Sequence, residues 1–190
     1  MEKRRVVITG AGCVSPYGVG AEKAWQSVLN GESAVRDLPW VDENQQVKIG
    51  AEVPEFDTTE YVNPKEAKRY DKYILYGCVA AKEALKSSGL DLEKEDPYSV
   101  GVLIGTGQGG IVTIIDAYNT SQKRGYCKCS PFTVPMMIVN MAAGGISMRH
   151  GLKGICKAVV SACATGTHSI GDSFRSIQYG DADVMVCGGC

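Results

Sequence analysis

Four short apolar runs constrain the fold more than any other feature. Arg5 to Thr9, Val100 to Ile104, Ile155 to Val160 and Asp183 to Cys187 place apolar side chains at successive positions, not alternate ones. A strand apolar on both sides needs cover on both faces, which is the condition of a parallel sheet between helices. The intervening stretches have helical spacing. Val19 to Leu29 is expected as a short amphipathic helix with Trp25 on its apolar face, ended by Asn30-Gly31. Pro64 opens a longer helical pattern through Leu85, with Tyr73, Tyr76, Val79, Ala80 and Ala84 inward and Ser88-Gly89 as its stop. Ile111 to Thr120 and Met136 to His150 are the next helices, whereas residues 32–60 are polar and irregular. The expected fold class is therefore α/β, a mostly parallel sheet with helices on both faces.

The 190 residues, 44% hydrophobic and 22% charged, supply the core of one domain. A net charge of −1 offers no electrostatic footprint for nucleic acid. Membrane insertion is not expected, because no apolar stretch approaches the roughly 18–20 residues that span a bilayer. The N-terminus enters an apolar strand pattern without a signal-peptide core, which suggests a cytoplasmic chain. The eight cysteines mostly sit inside apolar runs, where a cysteine packs as a small hydrophobe. Cys127-Lys128-Cys129 and Cys187-Gly188-Gly189-Cys190 invite a zinc reading. The second pair closes a strand and has no following Cys or His, so no metal or other cofactor is assigned.

Cys163 is the exception among the cysteines. The run ending at Val160 leads into Ser161-Ala162-Cys163-Ala164-Thr165-Gly166-Thr167, and helical spacing resumes with Ile170, Phe174 and Ile177 at i, i+4 and i+7. One cysteine thus stands where a strand turns into a helix, flanked by small residues that leave the sulfur approachable. A helix N-terminus offers free N–H groups and partial positive charge, which favour thiolate over thiol. That is the equipment of a nucleophile. The alternative is a buried core cysteine.

Two glycine loops suggest a competing nucleotide-binding oxidoreductase. Gly105-x-Gly107-x-x-Gly110 lies between a strand and a helix, Gly10-Ala11-Gly12 follows the first strand, and Tyr61 and Lys65 have a dyad's spacing. The context opposes it: Pro16 interrupts the first loop, Pro64 interrupts the dyad, and no acid closes a strand about 20 residues after either loop.

Several stretches together carry a resemblance: V-V-I-T-G-A-G-C-V-S-P-Y-G, V-L-I-G-T-G-Q-G-G, S-P-F-T-V-P-M-M-I-V-N-M, and A-C-A-T-G-T-H-S-I-G-D-S-F-R-S-I-Q-Y-G-D-A-D-V-M-V-C-G-G, spread over residues 6–189. The chain resembles the N-terminal half of type II β-ketoacyl-acyl carrier protein synthases, condensing enzymes of the thiolase-like fold. The resemblance implies one unit over 1–190, ending after the fourth core strand and before a fifth that would complete the sheet. It implies transfer of an acyl group from a carrier protein to Cys163, then decarboxylative Claisen condensation with malonyl-carrier protein. The Cys163 N–H would be one oxyanion donor. Gly107, Gln108, Phe132, Thr133, Val134 and Ala162 match positions lining the acyl pocket, and the 132–134 region reaches a partner subunit in the family's homodimers. Gln108 departs from the pattern, whose gate position is apolar and bulky. Lys65, Lys68 and Arg69, extended by Lys128, match the basic patch that meets the acidic acyl carrier protein; the bland alternative is a solvated helix face.

The family's second half supplies two histidines, a lysine, a gating phenylalanine and the other oxyanion N–H. His168, five residues past Cys163, is expected to point away from the sulfur, and His150 ends a helix where a cation suits the dipole. The 190-residue chain alone is thus expected not to condense. A second class of reading, an inactive interaction module keeping the dimer or carrier-protein surface, stays open.

Overall fold

The computed structural model describes residues 3–190. In chain order, β1 (Val14–Ser15) and β2 (Gly18–Val19) form a tight hairpin before α1 (Ala21–Leu29). β3 (Arg36–Asp37) and β4 (Ile49–Gly50) pair antiparallel across the polar excursion. Then follow α2 (Pro64–Ala67), α3 (Lys72–Ser88), β5 (Val100–Gly105), α4 (Ile111–Arg124), α5 (Thr133–Met137), α6 (Met141–His150), β6 (Cys156–Lys157), α7 (Thr165–Tyr179) and β7 (Val184–Gly189). The main sheet has the order β6-β5-β7, all parallel.

β5 is the centre, with all six residues buried. Its alternate residues Val100, Val102 and Ile104 meet Ile74 and Cys78 of α3 and Ala142, Ala143 and Ile146 of α6. Gly105, on the opposite pleat, faces Thr165 and Ser169 of α7. The sheet is therefore covered on both faces, as the unbroken apolar run demands. Among the described residues, no helix is long and apolar enough to cross a membrane.

Several expectations need correction. Arg5 to Thr9 forms no strand, and Ile8 is 87% exposed. The segment is tied at both ends. The Arg4 N–H donates to the Gln178 carbonyl, its guanidinium pairs with Asp183 at 2.5 Å, and Gly10 and Gly12 sit against the α3 backbone. Between it and β7 lies a cavity of about 350 Å³, lined by Val7, Ile8, Phe174, Ile177, Val184 and Val186 among others. The apolar pattern is present, but among the described residues no strand pairs with 5–9 and the cavity lies along its side.

Second, the 155–160 run yields only β6, a two-residue edge strand with both residues exposed. Third, α1 buries nothing, and Trp25 is 57% exposed. Fourth, the helix expected from Pro64 to Leu85 breaks at Lys68–Asp71, where Asp71 caps a new start. Its buried set adds Ile74 and Cys78 to Tyr73 and Val79. The Met136–His150 helix likewise divides into α5 and α6.

The helix expected after Cys163 forms as α7, which turns Thr165, Ser169, Ser173 and Ser176 inward and leaves Ile170 and Phe174 on the cavity side, about half exposed. Ser169 and Ser176 satisfy their hydroxyls on the carbonyls of Thr165 and Asp172, four residues back. Small side chains let the helix approach the sheet closely, which larger apolar residues would prevent.

His150 at the end of α6 is half-buried with Nε2 unpartnered, not a dipole-favoured cation. Burial lowers its pKa below 6.5, and the charges of Arg149 and Lys82 add to this. A depressed folded-state pKa means the unfolded chain binds the proton more readily. The contribution to stability is full above the unfolded value of 6.5 and is lost as pH falls below it. His150→Gln should flatten that acid-side loss in urea unfolding midpoints measured from pH 7.5 to 5; parallel profiles would contradict this.

Candidate active site

The turn at Cys163 is built by hydrogen bonds around a strained residue. Ala162, at φ 51°, is the single non-glycine with a left-handed backbone among the described residues. That conformation costs a non-glycine roughly 1–2 kcal/mol. The bonds on either side hold it. The Ser161 N–H donates to Thr165 Oγ1 at 2.8 Å, and the Ala164 N–H donates to the Ser161 carbonyl at 3.1 Å. Ser161 Oγ shares a hydrogen bond with His168 Nδ1 at 2.6 Å. Ala162–Ala164 form one 3₁₀ turn, and α7 starts at Thr165, which is buried. Cys163 is left exposed ahead of the helix N-terminus. Strain of this kind, fixed by its surroundings, is common at reactive sites.

Close backbone contact fixes the turn on the sheet. A Cβ at Gly189 would stand 2.8 Å from the Gly166 Cα, so β7 and the start of α7 touch through two glycines. A Cβ at Gly105 would stand 2.3 Å from both Thr165 Cγ2 and the Val159 carbonyl. Sequence alone marks the small residues around Cys163 but not the braces: Thr165 and His168 lie inside the quoted motif, where their spacing of two and five from the cysteine carries no signal of contact with Ser161.

Of the expected pocket residues, Gly107 and Ala162 come together, with 3.9 Å between the place of a Gly107 Cβ and the Ala162 Cα. Gln108 beside them is exposed. Phe132, Thr133 and Val134 lie at the start of α5, whose far end meets the glycine loop where the Gly110 N–H donates to the Met137 carbonyl at 3.1 Å. Val134 is exposed, and Phe132 lies under the Arg69 guanidinium, 4.6 Å from ring centre to Cζ. Arg69 thus joins the expected basic patch to the expected pocket wall. Lys65 and Lys68 are exposed at α2, and Lys128 is exposed on the separate turn Tyr126–Lys128.

The glycines of the supposed nucleotide loops are used against protein backbone. A Cβ at Gly12 would fall 1.9 Å from the Ala80 carbonyl, at Gly109 2.4 Å from the Met137 carbonyl, and at Gly110 2.2 Å from the Met136 carbonyl. Cys187 and Cys190 project to opposite faces of the sheet, toward Ser173 and toward Gly77, so they cannot share one tetrahedral ion. Burial raises both thiols, Cys190 to about 12, and likewise pushes the core thiol Cys78 up to about 11.

The family pattern described as "Beta-ketoacyl synthase, N-terminal domain" matches residues 3–190. The chain belongs to the β-ketoacyl synthase family. It is 43% identical over all 190 residues to the 3-oxoacyl-[acyl-carrier-protein] synthase 2 of Vibrio harveyi and covers 46% of that protein. Identity to the Rhizobium meliloti (strain 1021) protein of the same name is 44%, over 98% of this chain and 46% of that one. A solved ketosynthase, from a type II polyketide synthase acyl-carrier protein in complex with its ketosynthase bound to the hexaketide, superposes with a TM-score of 0.83. That match has 26% identity and covers 98% of this chain and 50% of the other. The chain therefore spans about half the length of its β-ketoacyl synthase relatives, the N-terminal half, and its parallel sheet with helices on both faces is the thiolase-like architecture of that half.

Proposed function

We propose that this chain carries the acyl-accepting half of a cytoplasmic β-ketoacyl-acyl carrier protein synthase, with Cys163 as the acceptor. The observation that carries the reading is an exposed thiol that follows the left-handed Ala162, on a turn braced by Thr165 and His168 and set against Gly107 through Ala162. In the proposed step the Cys163 thiolate attacks the carbonyl of an acyl thioester on the carrier protein. The tetrahedral oxyanion collapses, the carrier thiolate leaves and takes up a proton, and the acyl group stays on Cys163 Sγ. The Cys163 N–H is one donor for that oxyanion. Lys65, Lys68 and Arg69, with Lys128, are the proposed contact for the acidic carrier. The exposed apolar side chains Ile111, Val112, Ile115 and Tyr118 of α4, with Val134, support a homodimer surface. Decarboxylation and condensation belong to the whole protein, because they require groups of the family's second half.

The test is acyl transfer followed by intact mass. Incubated with acyl-carrier protein, the chain should gain one acyl group, mapped to Cys163, and should give no β-ketoacyl product when malonyl-carrier protein is added. Iodoacetamide should label Cys163 faster than Cys156, which is exposed on β6 without a helix behind it. Equal labelling and no acyl adduct would favour the interaction-module reading. The open apolar groove between residues 6–10 and β7 gives that reading its physical support.

A further inference from the structure

Two helices start on one buried carboxylate. Asp71 is 8% exposed and caps α3, where Oδ1 accepts the Tyr73 N–H at 3.5 Å. Its other oxygen, Oδ2, accepts the Thr113 N–H at 3.2 Å and the Thr113 hydroxyl at 2.6 Å. Thr113 is the third residue of α4, the position whose N–H a capping side chain normally receives. The N-cap of α4 is Gly110, which has no side chain to offer. A side chain there is sterically excluded, since its Cβ would fall 2.2 Å from the Met136 carbonyl and 3.0 Å from Asp71 Oδ2. Asp71 therefore caps α4 from another helix, and both positive helix ends meet its charge.

This capping lies at one end of the loop whose Gly107 stands against Ala162, the residue before Cys163. The loop leaves β5 at Gly105, which is wedged against Val159 and Thr165 of the nucleophile turn. It rejoins regular structure at Gly110, fixed by Met137 and by the Asp71–Thr113 bonds. Between those two ends, Gly107 and Gln108 are exposed, and Gly107 reaches Ala162. We propose that Asp71 is a positioning residue: by capping α4 it sets where Gly107 and Gln108 stand beside the Cys163 turn, and so the size of group that can reach the sulfur. Three donors converge on the carboxylate, and an amide in its place turns an NH₂ toward one of them. The inference rests on the acyl-transfer reading for its purpose, but not for its test.

The test compares Cys163 alkylation by iodoacetamide with that by a maleimide bearing a long apolar chain, in the 190-residue chain. Asp71→Asn is expected to shift the ratio of the two rates by about 10-fold, the worth of one charge-assisted hydrogen bond, and Thr113→Val by about 3-fold in the same direction. Thr113→Ser, which keeps both donors, should match the parent. The iodoacetamide rate alone should change less than about 2-fold in each variant, and the buried core thiol Cys78 should stay unlabelled. A purely structural role for Asp71 would move both reagents together and expose Cys78. If Asp71→Asn unfolds the chain, Thr113→Val decides: an unchanged ratio there, with Cys78 protected, overturns the proposal. An unchanged ratio in folded Asp71→Asn overturns it as well. Failure of the parent chain to accept an acyl group would sink the acyl-transfer reading alone, because the alkylation ratio uses no acyl donor.

Discussion

Replacing Cys163 by serine is expected to abolish acyl uptake and leave the fold in place. The side chain is exposed and makes no contribution to the core, so the change in stability should stay within about 0.5 kcal/mol, the range of ordinary surface substitutions. The chemistry changes far more. A serine hydroxyl is a weak nucleophile until a base takes its proton, whereas sulfur is intrinsically the stronger nucleophile and even a small thiolate fraction attacks a thioester. The histidine near the turn makes its hydrogen bond to Ser161 Oγ, not to residue 163. A fall of at least about 1000-fold in acyl transfer follows, roughly 4 kcal/mol of lost transition-state stabilisation. Rapid mixing with acyl-carrier protein and mass analysis would measure it, alongside a thermal melt. A variant that still gained the acyl group at a comparable rate would place the acceptor elsewhere among the eight cysteines.

The pattern of apolar runs made β5 and the alternation of layers legible, because continuous burial on both faces is a property of the run itself; β7 forms where its run predicts, although only Val186 in it is buried. The turn at Cys163 was legible for a similar local reason: only small residues occupy 161–167 apart from the cysteine and two threonines. What was not legible depends on distant partners. Residues 5–9 have a strand's composition, but a strand exists only with a neighbour in register, and here a cavity lies beside it. The inward face of α7 had no signal in the sequence, because periodicity ranks Ile170 and Phe174 above Ser169 and Ser173, while the sheet selects for closeness. The break before α3 did carry a signal, since Asp71 precedes an apolar-periodic stretch as an N-cap does. Its second role, receiving Thr113 from 42 positions away, had none.

The closeness of α7 to the sheet can be tested with two glycines that respond in opposite directions. Gly105 and Gly171 both lack a side chain, but for different reasons. A methyl at Gly105 would meet the Val159 carbonyl and Thr165 Cγ2, each at 2.3 Å, and Ser169 Oγ at 3.0 Å. The Val159 obstacle is backbone and cannot swing aside, and the two side-chain atoms belong to buried residues at the start of α7. Overpacking of this kind costs about 1–3 kcal/mol, or roughly 2–12 °C in melting temperature for a chain of this size. Because Thr165 also holds Ser161, the displacement should reach Cys163 and slow its acylation as well. Gly171 stands on the outer side of α7 with nothing within 4 Å of its Cβ position. Alanine there removes backbone freedom from the unfolded chain and should stabilise by about 0.5–1 kcal/mol without touching the acylation rate. Melting curves and Cys163 acylation of Gly105→Ala and Gly171→Ala, measured side by side, separate the two effects. A Gly105→Ala chain as stable and as reactive as its parent would mean that α7 does not approach β5 as closely as the glycine contacts require. Loss of stability with acylation intact would uncouple the turn from the sheet, leaving the hydrogen bonds around Ser161 as its sole support.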